Sequence, residues 1–359
     1  AVAAAAAKSG VARKPIDDVE GYRDRLAGLL SRSYSFMQVI HEKAKSNPKR
    51  VVMAEGDNPK IQRAAKILAE EGIAHPILLS RDKKAEEALR NLEVTAHVEV
   101  VDPEEHPKFQ KYVEAFWQKR ARQGVTREDA FHMVRVRNFF AGMMVAEGDA
   151  DVALSGLTTY YPETIRPALL TIGVAPGTKK VSGLYILILQ DRVFFFADTT
   201  VNINPSSEDL AEIAIQSADT AKLFNITPRV AMIAFSNFGS TRSPETDKVR
   251  EAVRIVHKRR PDLECDGEMQ ADTAVLPEFL RENYPWSTLT GPPNVLVFPE
   301  LQSANAAYKL VWRLGKAEAI GPILMGMGKP VHVLQRGVEV ADIVNMAAFG
   351  VVDAQARKK

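Results

Sequence analysis

From residue 51 to residue 351, short apolar runs alternate with amphipathic stretches long enough for helices, and this rhythm commits the chain to an α/β fold. Val51-Val52-Met53-Ala54 and Pro76-Ile77-Leu78-Leu79 read as strands flanking a helix over 59–71 that Gly72 closes. Such a strand, helix and strand unit requires a crossover, so it feeds a parallel sheet. The spacing predicts helices over about 106–122 and 126–147, a strand at Val152-Ala153-Leu154, and a helix opening at Pro162, where a missing N–H costs nothing. Leu184 to Leu189 and Val193 to Ala197, parted by Gln190-Asp191-Arg192, predict an antiparallel hairpin that breaks the rhythm. Ser206 with Asp209 marks a capping box for a helix to about Phe224. Strands over 229–235, 295–298 and 331–334 and helices over 244–259, 302–314 and 340–351 complete the pattern.

The first 20 residues lack apolar periodicity and read as a linker, whereas Tyr22, Leu26, Leu29, Phe36, Met37 and Ile40 recur at helical spacing. The chain begins at Ala1, for which excision from a longer polypeptide is expected ahead of initiator removal. Its 359 residues exceed the roughly 250–300 at which single cores stop growing, so two domains are expected. Lys+Arg at 47 against Asp+Glu at 45 leaves no bulk field for nucleic acid or an acidic membrane, so neither is expected as a partner. Any anionic ligand must therefore meet local cations. A single cysteine, Cys265, and scattered histidines give no metal-ligand spacing and fit a reducing cytoplasm. No apolar run approaches the ~18–20 residues that span a bilayer.

Several chemistries have no motif here. No G-x-G-x-x-G follows a strand, Pro330 stands where a P-loop after Gly328-Lys329 needs Ser or Thr, and neither G-x-S-x-G nor H-E-x-x-H occurs. Candidate ligand groups instead fall in four loops at the carboxyl ends of expected strands, where open α/β sheets bind ligands. The first carries Ser155-Gly156-Leu157-Thr158 and, just beyond, Arg166. The second carries Ser236, Gly239, Ser240 and Arg242, which suit either an anion cradle or a solvated turn. The third carries Ser303, then Asn305 and Lys309 one helical turn apart. The fourth carries Gln335, Arg336 and Asp342, an Arg suited to phosphate and an Asp suited to capping or base chemistry.

These phrases, together with Asn202-Ile203-Asn204-Pro205, Asp266-Gly267-Glu268-Met269-Gln270-Ala271-Asp272 and the run from Gly321 to Gly337, resemble the phosphate acetyltransferase family over residues 50–355. The resemblance implies two α/β domains, the first built from both chain ends, with an acyl-CoA cleft between them. On this pattern 1–20 is a linker, 21–169 with 323–359 form the first domain, and 170–322 form the inserted second. It also implies a Ser-Arg pair and an Asp that handle the CoA thiol. Arg336 and Asp342 match, but Gln335 replaces the Ser, and Phe238 is bulky where those enzymes favour a small or basic residue.

Arg137-Asn138-Phe139-Phe140-Ala141-Gly142-Met143-Met144 and Tyr161-Pro162-Glu163-Thr164 are similar to the C-terminal domain of large bacterial NADP-dependent malic enzymes, as is the segment before Pro15. That resemblance implies a regulatory domain that binds acetyl-CoA, forms homo-oligomers, and adjoins an upstream catalytic domain converting malate to pyruvate and CO2. NADP and a divalent metal, Mg or Mn, would belong to that other domain, and this chain would hold no cofactor or metal. Ligand contacts are expected from Arg336, Asn305, Lys309, Ser236, Gly239, Ser240, Arg242, Arg166 and Ser303, with Gln335, Arg336 and Asp342 a vestigial catalytic set. The alternatives are an active transacetylase, converting acetyl-CoA and phosphate to acetyl phosphate and CoA, and a purely structural oligomerisation module.

Overall fold

The computed structural model describes residues 32–81, 84–189 and 192–357, with side chains from residue 36 onward. The expected linker over 1–20, the start of the helix after it and the hairpin tip Gln190-Asp191 lie outside the described residues. The strands, in chain order, are β1 (Arg50–Met53), β2 (His75–Leu79), β3 (Glu99–Val101), β4 (Val152–Ser155), β5 (Ser182–Leu189) and β6 (Arg192–Ala197). Then come β7 (Arg229–Ile233), β8 (Glu264–Met269), β9 (Val295–Val297), β10 (Glu318–Met325) and β11 (Val331–Val333).

The first sheet has the order β11-β4-β1-β2-β3 and is parallel throughout. Val52 pairs with Ile77 on one side and Ala153 on the other, and all three are buried, as expected of strands covered by helices on both faces. Because β11 joins β4, this sheet uses both ends of the described chain. The helix Val340–Ala356 carries buried residues around its circumference, including Ile343, Met346, Phe349 and Val351, and packs on helices Arg32–Lys45 and Pro59–Glu70.

The second sheet has the order β10-β5-β6-β9-β7-β8. In it β5 runs antiparallel to both of its neighbours, β10 and β6, while β6, β9, β7 and β8 run parallel, so the hairpin supplies one half and α/β crossovers the other. The helix Ser207–Leu223 covers it and starts with the expected reciprocal cap between Ser206 and Asp209. The expected domain boundary at 322 falls inside β10, which continues to Met325 against Ser182 of β5.

Several elements differ from the sequence expectation. The single helix expected over 126–147 is two, Arg127–Val134 and Arg137–Glu147, because Val136 turns extended at φ −76°, ψ 126°. Strands β3, β8 and β10 and the helix Lys84–Asn91 were not expected. The β8 sequence Glu-Cys-Asp-Gly-Glu-Met hides its strand because it buries Asp266 and Glu268, which break any apolar pattern.

The helices Arg137–Glu147 and Tyr161–Thr171 pack through Gly142, where a Cβ would lie 2.2 Å from the buried Thr171 Oγ1. That hydroxyl donates to the Pro167 carbonyl at 2.8 Å and is not free to swing away. In an open helix Gly→Ala gains about 1 kcal/mol. Gly142→Ala is expected instead to lose about 1–3 kcal/mol in urea denaturation. Adding Thr171→Ala should recover part of that loss, with a coupling of at least about 0.5 kcal/mol between the two sites.

Candidate functional site

Three buried carboxylates shape the loops at the carboxyl ends of the strands. Glu55, just past β1, accepts the N–H groups of Gly156 and Thr158 at 3.0 and 3.2 Å and the Thr158 hydroxyl at 3.3 Å. Asp198, just past β6, accepts five donors: the N–H groups of Gly183, Thr200, Val201 and Asn202 and the Asn202 side-chain amide. Glu268, on β8, accepts the Gly239 N–H at 2.7 Å, the Ser236 hydroxyl at 3.1 Å and the Arg250 guanidinium at 3.2 Å. Burial pushes Glu55 and Asp198 above the ordinary carboxylate range, with the hydrogen bonds pulling the other way. For Glu268 burial also pushes upward, but Arg250 and the Gly239 N–H outweigh it and hold the carboxyl below its usual range.

Four loops, after β4, β6, β9 and β11, converge on a cavity of about 740 Å3 that draws its walls from both sheets. Gly156, Tyr160 and Tyr161 come from the first loop and its helix, and Thr200 from the second. Asn305, Tyr308 and Lys309 come from the helix Leu301–Leu314, and Gln335 and Arg336 from the last loop. Tyr161 Oη and Thr200 Oγ1 lie 2.8 Å apart, which joins the helix beside the first sheet to the second sheet. The Asn305 amide donates to the Thr199 carbonyl at 3.2 Å. The Arg336 guanidinium stacks 3.9 Å over the ring of Tyr160, which is 63% exposed. The Gln335 amide donates to Tyr308 Oη at 3.4 Å, and the Tyr308 ring stacks on Tyr185 at 4.2 Å.

A second cavity of about 580 Å3 shares Leu334, Gln335 and Arg336 with the first and adds Tyr185, Trp312, Arg313, Asp342 and Asn345. Asp342 is exposed, and its carboxylate accepts the Glu339 N–H at 2.8 Å, so in this state it caps the helix Val340–Ala356.

Of the residues picked from sequence, the structure brings Asn305, Lys309, Gln335 and Arg336 to one cavity. Ser236, Gly239, Ser240 and Arg242 do not line it. In the order β6-β9-β7 their loop stands beyond β9, and the loop after β6 takes its place. The Ser236 hydroxyl and Gly239 N–H point at Glu268, which fills the position an anion would take, and Ser240 Oγ accepts from the Asn237 N–H at 3.1 Å. Arg166 is exposed on its helix away from the cavity lining, and Ser303 turns inward to the Glu300 carbonyl at 2.8 Å. Sequence reading passed over Tyr160, Tyr161, Thr200 and Tyr308; Tyr308 carried a signal, being next to Lys309 on a helix already implicated. Among the described residues no group of three or more His, Cys, Asp or Glu side chains could hold a metal ion.

The sequence profile described as phosphate acetyl/butaryl transferase matches residues 35–351. A phosphate acetyltransferase of Thermoanaerobacterium thermosaccharolyticum is 43% identical over 328 residues, covering 89% of this chain and 100% of that protein. The NADP-dependent malic enzyme of Escherichia coli is 38% identical over 362 residues, covering 99% of this chain but only 48% of that protein. Among solved structures, a phosphotransacetylase from Streptococcus pyogenes superposes with a TM-score of 0.86 at 39% identity, covering 90% of this chain and 99% of that one.

Asp198→Asn would turn an amide NH2 toward donors that now meet a carboxylate oxygen, leaving N–H groups unpaired in a buried site. A loss of about 2–4 kcal/mol is expected in urea denaturation, and an unchanged midpoint would refute the role assigned to this carboxylate.

Proposed function

Since this chain belongs to the phosphate acetyl/butaryl transferase family, we propose that its cleft binds an acyl-CoA and exchanges the acyl group between CoA and phosphate. The observation that carries this reading is the placement of two cations, Arg336 and Lys309, on a cavity whose other lining is uncharged and largely aromatic or apolar. Phosphate groups of CoA suit the exposed cations, and the neutral thioester suits the hydroxyl and aromatic walls. In the reaction a phosphate oxygen attacks the thioester carbon, the C–S bond breaks, and the thiolate leaves to take up a proton. Asp342 lines the adjoining cavity together with Gln335 and Arg336, and it serves as a base only on leaving its capping bond to Glu339.

A second reading gives the same cleft a sensing role in a larger malic-enzyme polypeptide. It is favoured by similarity to malic enzymes over 99% of this chain, against 89% for the transacetylase. Gln335 favours it too, because an amide bound to Tyr308 replaces the expected hydroxyl beside Arg336. Acetyl-CoA would then shift the parent between states only through unequal affinity for them. NADP and a divalent metal would be held outside this chain.

Calorimetric titration with acetyl-CoA and an assay of acetyl phosphate with CoA separate these readings. Binding with turnover supports transfer, binding without turnover supports sensing, and no binding sinks both. Arg336→Ala is expected to weaken acetyl-CoA by about 10- to 100-fold.

A further inference from the structure

The polar groups of the main cavity are graded by depth. Arg336, Lys309 and Tyr160 are exposed at its mouth, whereas Tyr161 and Thr200 are half-buried further in. These inner groups are uncharged hydroxyls 2.8 Å apart. Each hydroxyl has one proton, and whichever of the two donates, a single proton is used between them. The other proton finds no acceptor among the described residues, so the pair presents one unspent donor on a cavity wall.

The pair is also held still. The Thr200 N–H donates to Asp198 Oδ1 at 2.9 Å, and the same oxygen accepts the Gly183 N–H at 3.0 Å. Gly183 leaves the seat that the hydroxyl occupies, since a Cβ there would lie 1.7 Å from Thr200 Oγ1. Tyr161 opens its helix directly after Tyr160, whose ring carries Arg336. Burial raises the Tyr161 phenol above its ordinary range, so it remains protonated and able to donate at neutral pH.

We propose that Tyr161 and Thr200 form the subsite that receives the acyl carbonyl oxygen of the bound thioester. A thioester carbonyl is an uncharged, weak acceptor, so one spare hydroxyl proton suits it without drawing in a phosphate. The pair spans the two sheets, so a carbonyl seated on it lies where the cleft walls meet. It discriminates acyl-CoA from CoA, because free CoA has no carbonyl at that end. This assignment rests on the acyl-CoA reading of the cleft.

The test is calorimetric titration of the intact chain, and of Tyr161→Phe and Thr200→Val, with acetyl-CoA and with CoA. Each variant is expected to lose about 3- to 10-fold in acetyl-CoA affinity while its CoA affinity stays within about 2-fold. Thr200→Ser, which keeps the hydroxyl, should behave as the unmodified chain, and unliganded melting temperatures establish that the variants are folded. Unchanged acetyl-CoA affinity, or an equal loss for both ligands, overturns the subsite while leaving the cleft reading intact. An unmodified chain that binds neither ligand overturns the cleft reading and the subsite with it.

Discussion

The candidate site depends on carboxylates that are not themselves in it. Glu55 and Asp198 are buried at strand ends, and each gathers backbone N–H groups that would otherwise face a cavity or solvent. A buried carboxylate is costly unless its acceptors are filled, so the loop must adopt the one path that delivers its donors. The path fixed by Glu55 brings Gly156 to the cleft, and the path fixed by Asp198 brings Thr200. Glu268 orders a third loop in the same way, and there the internal anion displaces any external one. Nests of N–H groups usually mark ligand sites; here they are consumed in building the walls, and the ligand is left to cations and hydroxyls.

Strand order explains which loops meet. In the second sheet β6 and β9 are neighbours and β7 comes after them, so the loops following β6 and β9 share a cavity. The first sheet contributes through β4 and β11, which are also neighbours. The cleft is thus the meeting of two adjacent pairs of strand ends, one pair from each sheet.

Much of this was legible in the sequence, and the failures have a common cause. Apolar periodicity located β1, β2, β4, the β5–β6 hairpin and the helix Pro244–Arg259, because those elements bury faces of ordinary hydrophobic composition. It missed β8, whose buried groups are acidic, and it misread the Ser236 to Arg242 loop, whose small polar residues look alike whether they greet a ligand or a neighbouring carboxylate. Asn305, Lys309, Gln335 and Arg336 reach the cavity, and they stood out in sequence because Arg336 is a cation in a loop after a strand and Lys309 lies one helical turn beyond Asn305. Tyr161 and Thr200 were not, since neither residue type is distinctive until a contact between distant segments brings them to 2.8 Å.

The contact between Gln335 and Tyr308 stands where the two cavities share their lining, and Arg336 faces both. Its consequence is that the two compartments are not independent: Gln335 and Arg336 belong to both linings, so a substitution at either changes two surfaces at once while the strands that carry the walls stay in place.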